Sequence, residues 1–291
     1  MIVPVTEQGC YSPEKFEKID SLAYKSLQIH AQYVEKHIHV AKKLTENADP
    51  DVILETLSTT SGNVLAFGHG FDHLITANNC QAWLTTSQLQ HYQDIIKNRV
   101  FIFVACLTGK KLCKELVKHG AKASFGLKDV GLVIVVRGAK YCRYLYAPLI
   151  GLLETAIAIS HGFTPKKAYE MGKKRWENEI HYWSNFYYHE KIKTEYSDID
   201  VDEDLAQLLL TVMTHNYNAF VYYSVEEEEE REEEEKEGEE EKREEEREEE
   251  EKIRKATAKD IIAMGVGMML TMGIPLMLQQ KPTQTSKKDK E

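Results

Sequence analysis

Apolar residues recur at three- and four-residue spacing from Phe16 through Ile19, Leu22, Ala23, Leu27, Val34, Ile38 and Ala41 to Leu44, the spacing of one helical face. With Pro13 placed where a first turn would begin, this pattern predicts a long amphipathic helix, continuous or broken. A short helix follows over Asp51–Leu57 and is closed by Ser61-Gly62; Asn63–Phe67 then reads as a buried strand that stops at Gly68-His69-Gly70. A second such run, Val100–Ala105, stops at Cys106-Leu-Thr-Gly109 and leads into a helix over Lys110–Lys118 closed by Gly120. Next come a strand at Ala121–Phe125, a turn through Gly126–Gly131 and a further strand at Leu132–Val136. Helices are predicted at Leu145–Ser160 and from Pro165 to about Trp183, the latter with Thr164 as N-cap and Pro165 in the first turn. Leu205–Met213 is too short an apolar run to assign. Strands alternating with helices predict an α/β body with a mostly parallel sheet.

After residue 225 the pattern disappears. Glu226–Glu251 holds 20 Glu against 5 Lys or Arg. Removing those fifteen net negative charges from the formal −10 leaves +5 on everything else. The acidity therefore belongs to this run alone, and a mildly basic body without a Lys/Arg stripe gives no case for nucleic-acid binding. Glu-to-Lys/Arg spacings of four support a solvated helix, while like-charge repulsion and Gly238 support disorder; either makes residues 226–258 a spacer.

Beyond it, Ile261–Leu278 is 18 residues without a charge, flanked by Lys and Arg before it and by Lys after it. As a helix it would cover about 27 Å, close to a bilayer's hydrocarbon thickness. The expectation is a single-pass tail anchor over residues 259–280 with a polar tail at 281–291; the alternative is a helix packed on the body or a partner. Five cysteines, odd in number and without Cys-x-x-Cys spacing, fit a reducing compartment better than a disulfide framework. The first ten residues lack a basic stretch followed by a longer apolar run. Residues 1–225 are thus expected to face the cytoplasm from the membrane. With 42% hydrophobic residues in the chain, they suffice for a sizeable core.

Parallel α/β sheets place ligands at the carboxyl ends of their strands, where His69 and Cys106 both stand. Were the two strands parallel neighbours, their ends would lie about 4.8 Å apart. A thiol becomes a good nucleophile once a base or a positive field favours thiolate, and His69 with the N-terminus of the following helix would supply both. A buried structural thiol beside a structural histidine is the alternative that the residues alone leave open.

Asn63-Val-Leu-Ala-Phe-Gly-His69-Gly70, Val100-Phe-Ile-Phe-Val-Ala-Cys106-Leu-Thr-Gly109 and the downstream Gly120-Ala-Lys-Ala-Ser-Phe-Gly126 resemble the caspase-like cysteine peptidases, and among them the CHAT family. Leu152-Leu-Glu-Thr-Ala156 and Thr164-Pro-Lys-Lys-Ala168-Tyr-Glu-Met-Gly172 are similar to that family's later helices, so the resemblance covers about residues 60 to 185. It implies a caspase-like α/β/α sandwich, Cys106 as nucleophile, His69 as general acid/base, and an oxyanion hole from the backbone N–H groups of Gly70 and Cys106. It implies a protein or peptide substrate and no cofactor. It also implies an effector role in prokaryotic defence or cell death, switched on by a partner or by self-association. Ala105 departs from related enzymes, which carry an acidic residue just before the nucleophile. Substrate preference is open as a result: Asp129 would select a basic side chain and Lys128 an acidic one, with Asp129 favoured.

The remaining candidates point to structure. His73 lies four after His69, but the intervening Gly70 and the missing Glu of His-Glu-x-x-His argue against zinc, and no metal is expected. His30, His37 and His39 read as surface or boundary residues, Tyr141, Tyr144 and Tyr146 as packing, and Cys113 as a core thiol. Trp176, Trp183, Tyr187 and Tyr188 read as core or rim, with a partner surface as the alternative. No glycine-rich phosphate loop supports nucleotide hydrolysis. From a different class, the rival is a caspase-like scaffold that does no chemistry and recruits partners at a membrane.

Overall fold

Two short apolar strands set the layering. Successive side chains of a strand point to opposite faces. In β3 (Val64–Phe67) and β7 (Val100–Val104), Leu65, Phe67, Val100, Ile102 and Val104 join one buried cluster, whereas Val64, Ala66, Phe101 and Phe103 join another on the opposite face. A sheet covered on both faces needs strands that are apolar throughout, as these two are. The computed structural model describes residues 1–4, 27–40, 42–44, 48–134, 143–185, 203–226, 242–250 and 252.

β3 and β7 form the centre of a six-stranded sheet. It also contains β1 (Ile2–Pro4), β2 (Lys42–Leu44), β8 (Ala123–Leu127) and β9 (Phe220–Ser224), in the order β2-β1-β3-β7-β8-β9. Every neighbouring pair is parallel except β8 with β9. Between β3 and β7 the chain forms a separate antiparallel sheet of β4 (Gly70–Phe71), β5 (Leu74–Thr76) and β6 (Ala82–Thr85). Helices α1 (Pro50–Thr59) and α2 (Leu112–Lys118) bury Ile53, Leu57, Leu112 and Leu116 in the cluster of Val64 and Phe101. Helical residues 27–35 cover the other face with α3 (Ile150–Ser160), α4 (Pro165–Ser184) and α5 (Glu203–Ala219). The body is therefore α/β with a mostly parallel central sheet between helical layers.

Local chemistry explains the element ends. Thr164 accepts a hydrogen bond from Lys167 N through its hydroxyl and Pro165 opens the first turn of α4, the N-cap and proline arrangement that the sequence predicts. The Arg99 guanidinium donates to the carbonyls of Leu57, Thr60 and Gly62, binding the end of α1 to the start of the sheet. Glu179, fully buried on α4, is held by Arg143 Nε and Nη2 at 2.6 and 3.1 Å, by Trp183 Nε1 at 3.3 Å and by Arg175 at 3.6 Å. A carboxylate out of water is tolerated only with such partners.

Several expectations need correction. The helix predicted through Leu44 has ended by residue 36, and Lys42–Leu44 is the edge strand β2, paired with β1. A strand of three residues is too short for its alternation to outweigh a helical spacing. The earlier part of that predicted helix lies outside the described residues. Leu132–Val136 was expected as a strand, yet residues 131–134 join no ladder. Leu132 bonds instead to the Asn216 side chain, and residues 135 and 136 lie outside the described set. The unassigned run Leu205–Met213 belongs to the longer helix α5.

The chain divides into two units, Met1–Glu230 and Arg231–Glu291. In the second, residues 242–250 are helical and exposed, with Lys252 Nζ 3.8 Å from Glu248; an exposed pair of this kind contributes little. The apolar run 261–278 lies outside the described residues, and no described helix is long and apolar enough to cross a membrane.

Candidate functional site

The parallel register of β3 and β7 pairs Phe67 with Val104, and His69 and Cys106 each follow two residues later. Continuing the alternation puts both on the face of Phe67 and Val104. They line one cavity of about 270 Å³, where each is half-buried. Its other walls include Leu27, Leu127, Val130, Val133 and Leu149.

Turns hold the two side chains in place. Thr76 donates to the His69 carbonyl from its backbone N, 2.9 Å, and its hydroxyl, 3.2 Å. After Cys106, Leu107 adopts φ +60°, a left-handed conformation unusual for a branched residue. Bonds on both sides maintain it: Leu107 N donates to Asp129 O at 3.0 Å, Thr108 Oγ1 to Ala105 O at 3.2 Å, and Gly109 N to Leu127 O at 3.0 Å. Strain of this sort persists where surrounding contacts over-determine it, and it concentrates at functional sites.

The helix expected at Lys110 begins at Leu112, six positions after Cys106, and Leu112 N donates to Asp72 O at 2.8 Å. The donor to the thiol comes from another segment. Gly131 N lies 3.3 Å from Cys106 Sγ and donates to it, and Gly131 O lies 3.9 Å from the same sulfur. A backbone N–H aimed at sulfur favours thiolate over thiol.

Gly70 packs directly on the backbone of Cys106. A Cβ there would fall 2.3 Å from Cys106 O, 2.7 Å from Thr108 Cγ2 and 2.9 Å from Ala105 Cβ, so the position excludes any side chain. Gly70 pairs with Ile75 across β4 and β5, and the flanking Thr76 N–His69 O bond makes this a non-hydrogen-bonded pair. In such a pair the residue's own N–H and C=O point away from the partner strand. The N–H of Gly70 is thus directed away from β5.

Lys128 and Asp129 are exposed and are not among the residues lining the cavity. Asp129 turns its carboxylate back to accept from Val130 N at 2.8 Å, and Lys128 lies close enough to Lys173 to hold that ammonium's pKa down, second to burial. His73 is exposed and bonds Asp72 at 2.5 Å, which pulls the Asp72 carboxyl below its ordinary range. Among the described residues no group of three His, Cys, Asp or Glu could hold a metal ion. Cys113 is fully buried and its thiol is pushed up to about 12 by desolvation.

His30, read from the sequence as a surface or boundary residue, is buried; Gln28, Gln32 and Glu35 form the more exposed side of residues 27–35. His37 Nδ1 bonds Tyr33 O at 2.7 Å. Tyr146 rests on Tyr33 with ring centres 4.6 Å apart, Tyr144 is buried, and Trp176 and Trp183 are core residues. Tyr141, Tyr187 and Tyr188 lie outside the described residues.

Two residues of α5 went unnoticed in the sequence. Asn216, fully buried, accepts from Leu132 N at 2.9 Å and donates to Leu132 O at 2.8 Å and Pro148 O at 2.7 Å. His215 Nε2 donates to Val130 O at 2.8 Å. Together they grip the segment that carries the donor to Cys106, across 84 and 85 positions of sequence. Neither residue forms part of any local motif, so no sequence signal marked them. Compared with known family models, curated proteins and solved structures, the chain has no match.

Proposed function

We propose that this chain is a cysteine endopeptidase of the caspase-like, CHAT type, acting through a Cys106–His69 dyad. The observation that carries this reading is the common cavity of His69 and Cys106 at the carboxyl ends of adjacent parallel strands, with the Gly131 N–H on the sulfur. The helical layers on both faces of a mostly parallel sheet accord with the sandwich that the resemblance implies.

In the proposed reaction His69 takes the thiol proton and the Cys106 thiolate attacks the scissile carbonyl carbon, forming an S–C bond and moving an electron pair onto oxygen. The N–H groups of Gly70 and Cys106 stabilise that oxyanion; such preorganised donors are often the largest single catalytic contribution. The intermediate collapses, the C–N bond breaks, and imidazolium at His69 gives its proton to the departing amine. Water, deprotonated by His69, then hydrolyses the thioester and restores the thiol.

The supporting chemistry beyond the site is compositional. The uncharged run 261–278 would tether the catalytic body to a membrane from the cytoplasmic side, with the glutamate-rich stretch as spacer. An effector of this kind in prokaryotic defence or cell death would be held inactive until a protein partner or clustering at the membrane engages it.

Labelling the full chain with an electrophilic peptide probe tests the reading. Label should be lost in Cys106→Ala and reduced about 100-fold or more in His69→Ala, the scale of a removed acid/base group. Label on Cys113, or on no residue even with membranes present, would replace the peptidase with the non-catalytic scaffold.

A further inference from the structure

Resting on the peptidase reading, we infer that the substrate residue whose carbonyl is attacked carries an aliphatic side chain, received by the apolar cavity beside Cys106. This sets aside the selection by Asp129 or Lys128 that the sequence suggested.

The lining residues decide the chemistry. Leu27, Leu127, Val130, Val133 and Leu149 supply branched aliphatic surface within the same cavity as the thiol. Among the described residues that line the cavity, His69 is the one titratable side chain besides Cys106, and the reaction occupies it. Asp129 spends a carboxylate oxygen on Val130 N and Lys128 sits towards Lys173. A charged substrate side chain would therefore leave water for a wall whose described residues offer it no partner, a transfer that costs far more than burying a methyl group gains. At about 270 Å³ the cavity falls near the lower end of small-ligand pockets, a size suited to one side chain and its neighbouring backbone.

The wall is also built to stay in place. Val130 and Val133 are 48% and 37% exposed, an unfavourable position for two branched apolar residues unless something covers them. Their segment is nevertheless fixed by three bonds between side chains and its backbone, two between buried Asn216 and Leu132 and one from His215 to Val130. Exposed apolar side chains on a rigid backbone present a preformed surface, which lowers the ordering cost of binding. The same segment carries the Gly131 N–H to Cys106, so one wall orients both the thiol and the residue it attacks.

Three peptidyl acyloxymethyl ketones, identical except for Leu, Asp or Lys at the residue joined to the reactive ketone, read this directly. The Cys106 thiolate displaces the carboxylate leaving group and forms a stable S–C bond. Rates are measured on the full chain in detergent micelles and divided by the iodoacetamide rate at Cys106 in the same sample. The Leu probe should lead both others by at least about tenfold, the scale on which one hydrophobic pocket discriminates. In Val133→Glu the Lys probe should gain on the Leu probe by a similar factor, because the added carboxylate supplies the missing partner. A wild-type rate for Asp or Lys equal to that for Leu, with labelling still dependent on His69, overturns the inference and leaves the dyad standing. Labelling of Cys106 by no peptidyl probe, or labelling indifferent to His69, overturns the peptidase reading and this inference with it.

Discussion

Cys106 and Cys113 lie seven positions apart and occupy opposite sides of the central sheet. Cys106 sits half-buried at the end of β7, on the rim of a cavity, with a backbone N–H at 3.3 Å from its sulfur. Cys113 is enclosed among Phe101, Phe103 and Leu116, and burial drives its thiol up to about 12 against the slight opposing effect of Ser124. Residue type alone therefore says little about thiol chemistry. Exposure and the donors aimed at sulfur separate a nucleophile from a core-filling side chain.

The contrast can be broken most decisively by alkylation. At neutral pH in the native chain, iodoacetamide should modify Cys106 more than about a thousandfold faster than Cys113, the ratio that their thiolate fractions imply. Peptide mass spectrometry reads both sites, and comparable rates without denaturant would erase the distinction. Next in size is Gly70→Ala, whose new methyl group would collide with the Cys106 carbonyl at 2.3 Å. Neither backbone can yield cheaply, so about 3 kcal/mol of stability should be lost, the upper part of the overpacking range, together with probe labelling. Denaturant titration and labelling at matched folded fraction measure the two losses separately.

Asn216→Ala should cost about 2 kcal/mol by leaving the backbone of Leu132 and Pro148 without their buried partner. Peptidyl-probe labelling should slow more than iodoacetamide labelling, since the wall that receives the peptide has lost its anchor. The effect of Cys113 appears only in alkali. Burial holds its folded pKa above the ordinary thiol value, so the folded state holds a proton that the unfolded state releases as pH rises. That contribution is complete below about pH 9 and declines towards pH 12. Wild type should consequently lose more stability across this window than Cys113→Ala, as read by thermal unfolding at several pH values.

What could be read in advance follows the range of the interactions. β3 and β7 were legible because each is an apolar run bounded by glycine and long enough to be distinguished from its surroundings. The order of His69 and Cys106 at their ends followed from that. The Thr164 cap and Pro165 likewise announced α4. Short or distant pairings left no trace: β2 is three residues long, β9 joins β8 only after α5, and the Asn216 bonds to Leu132 span 84 positions. Leu132 and Val133 resemble strand because they are apolar, yet Val133 lines a cavity and Leu132 bonds to a side chain rather than to a neighbouring strand. The field expected from a helix terminus arises instead from Gly131, whose approach to Cys106 depends on that distant anchor.

In the proposed dyad, His69 and the Gly131 N–H would hold Cys106 as a thiolate near neutrality. This is tested most directly by the pH profile of Cys106 alkylation in the full chain, wild type beside His69→Ala. Wild type should retain rapid alkylation well below pH 8.5, where an ordinary thiol has fallen off, and His69→Ala should move the profile up towards that value. Two coincident profiles centred near pH 8.5 would contradict the dyad.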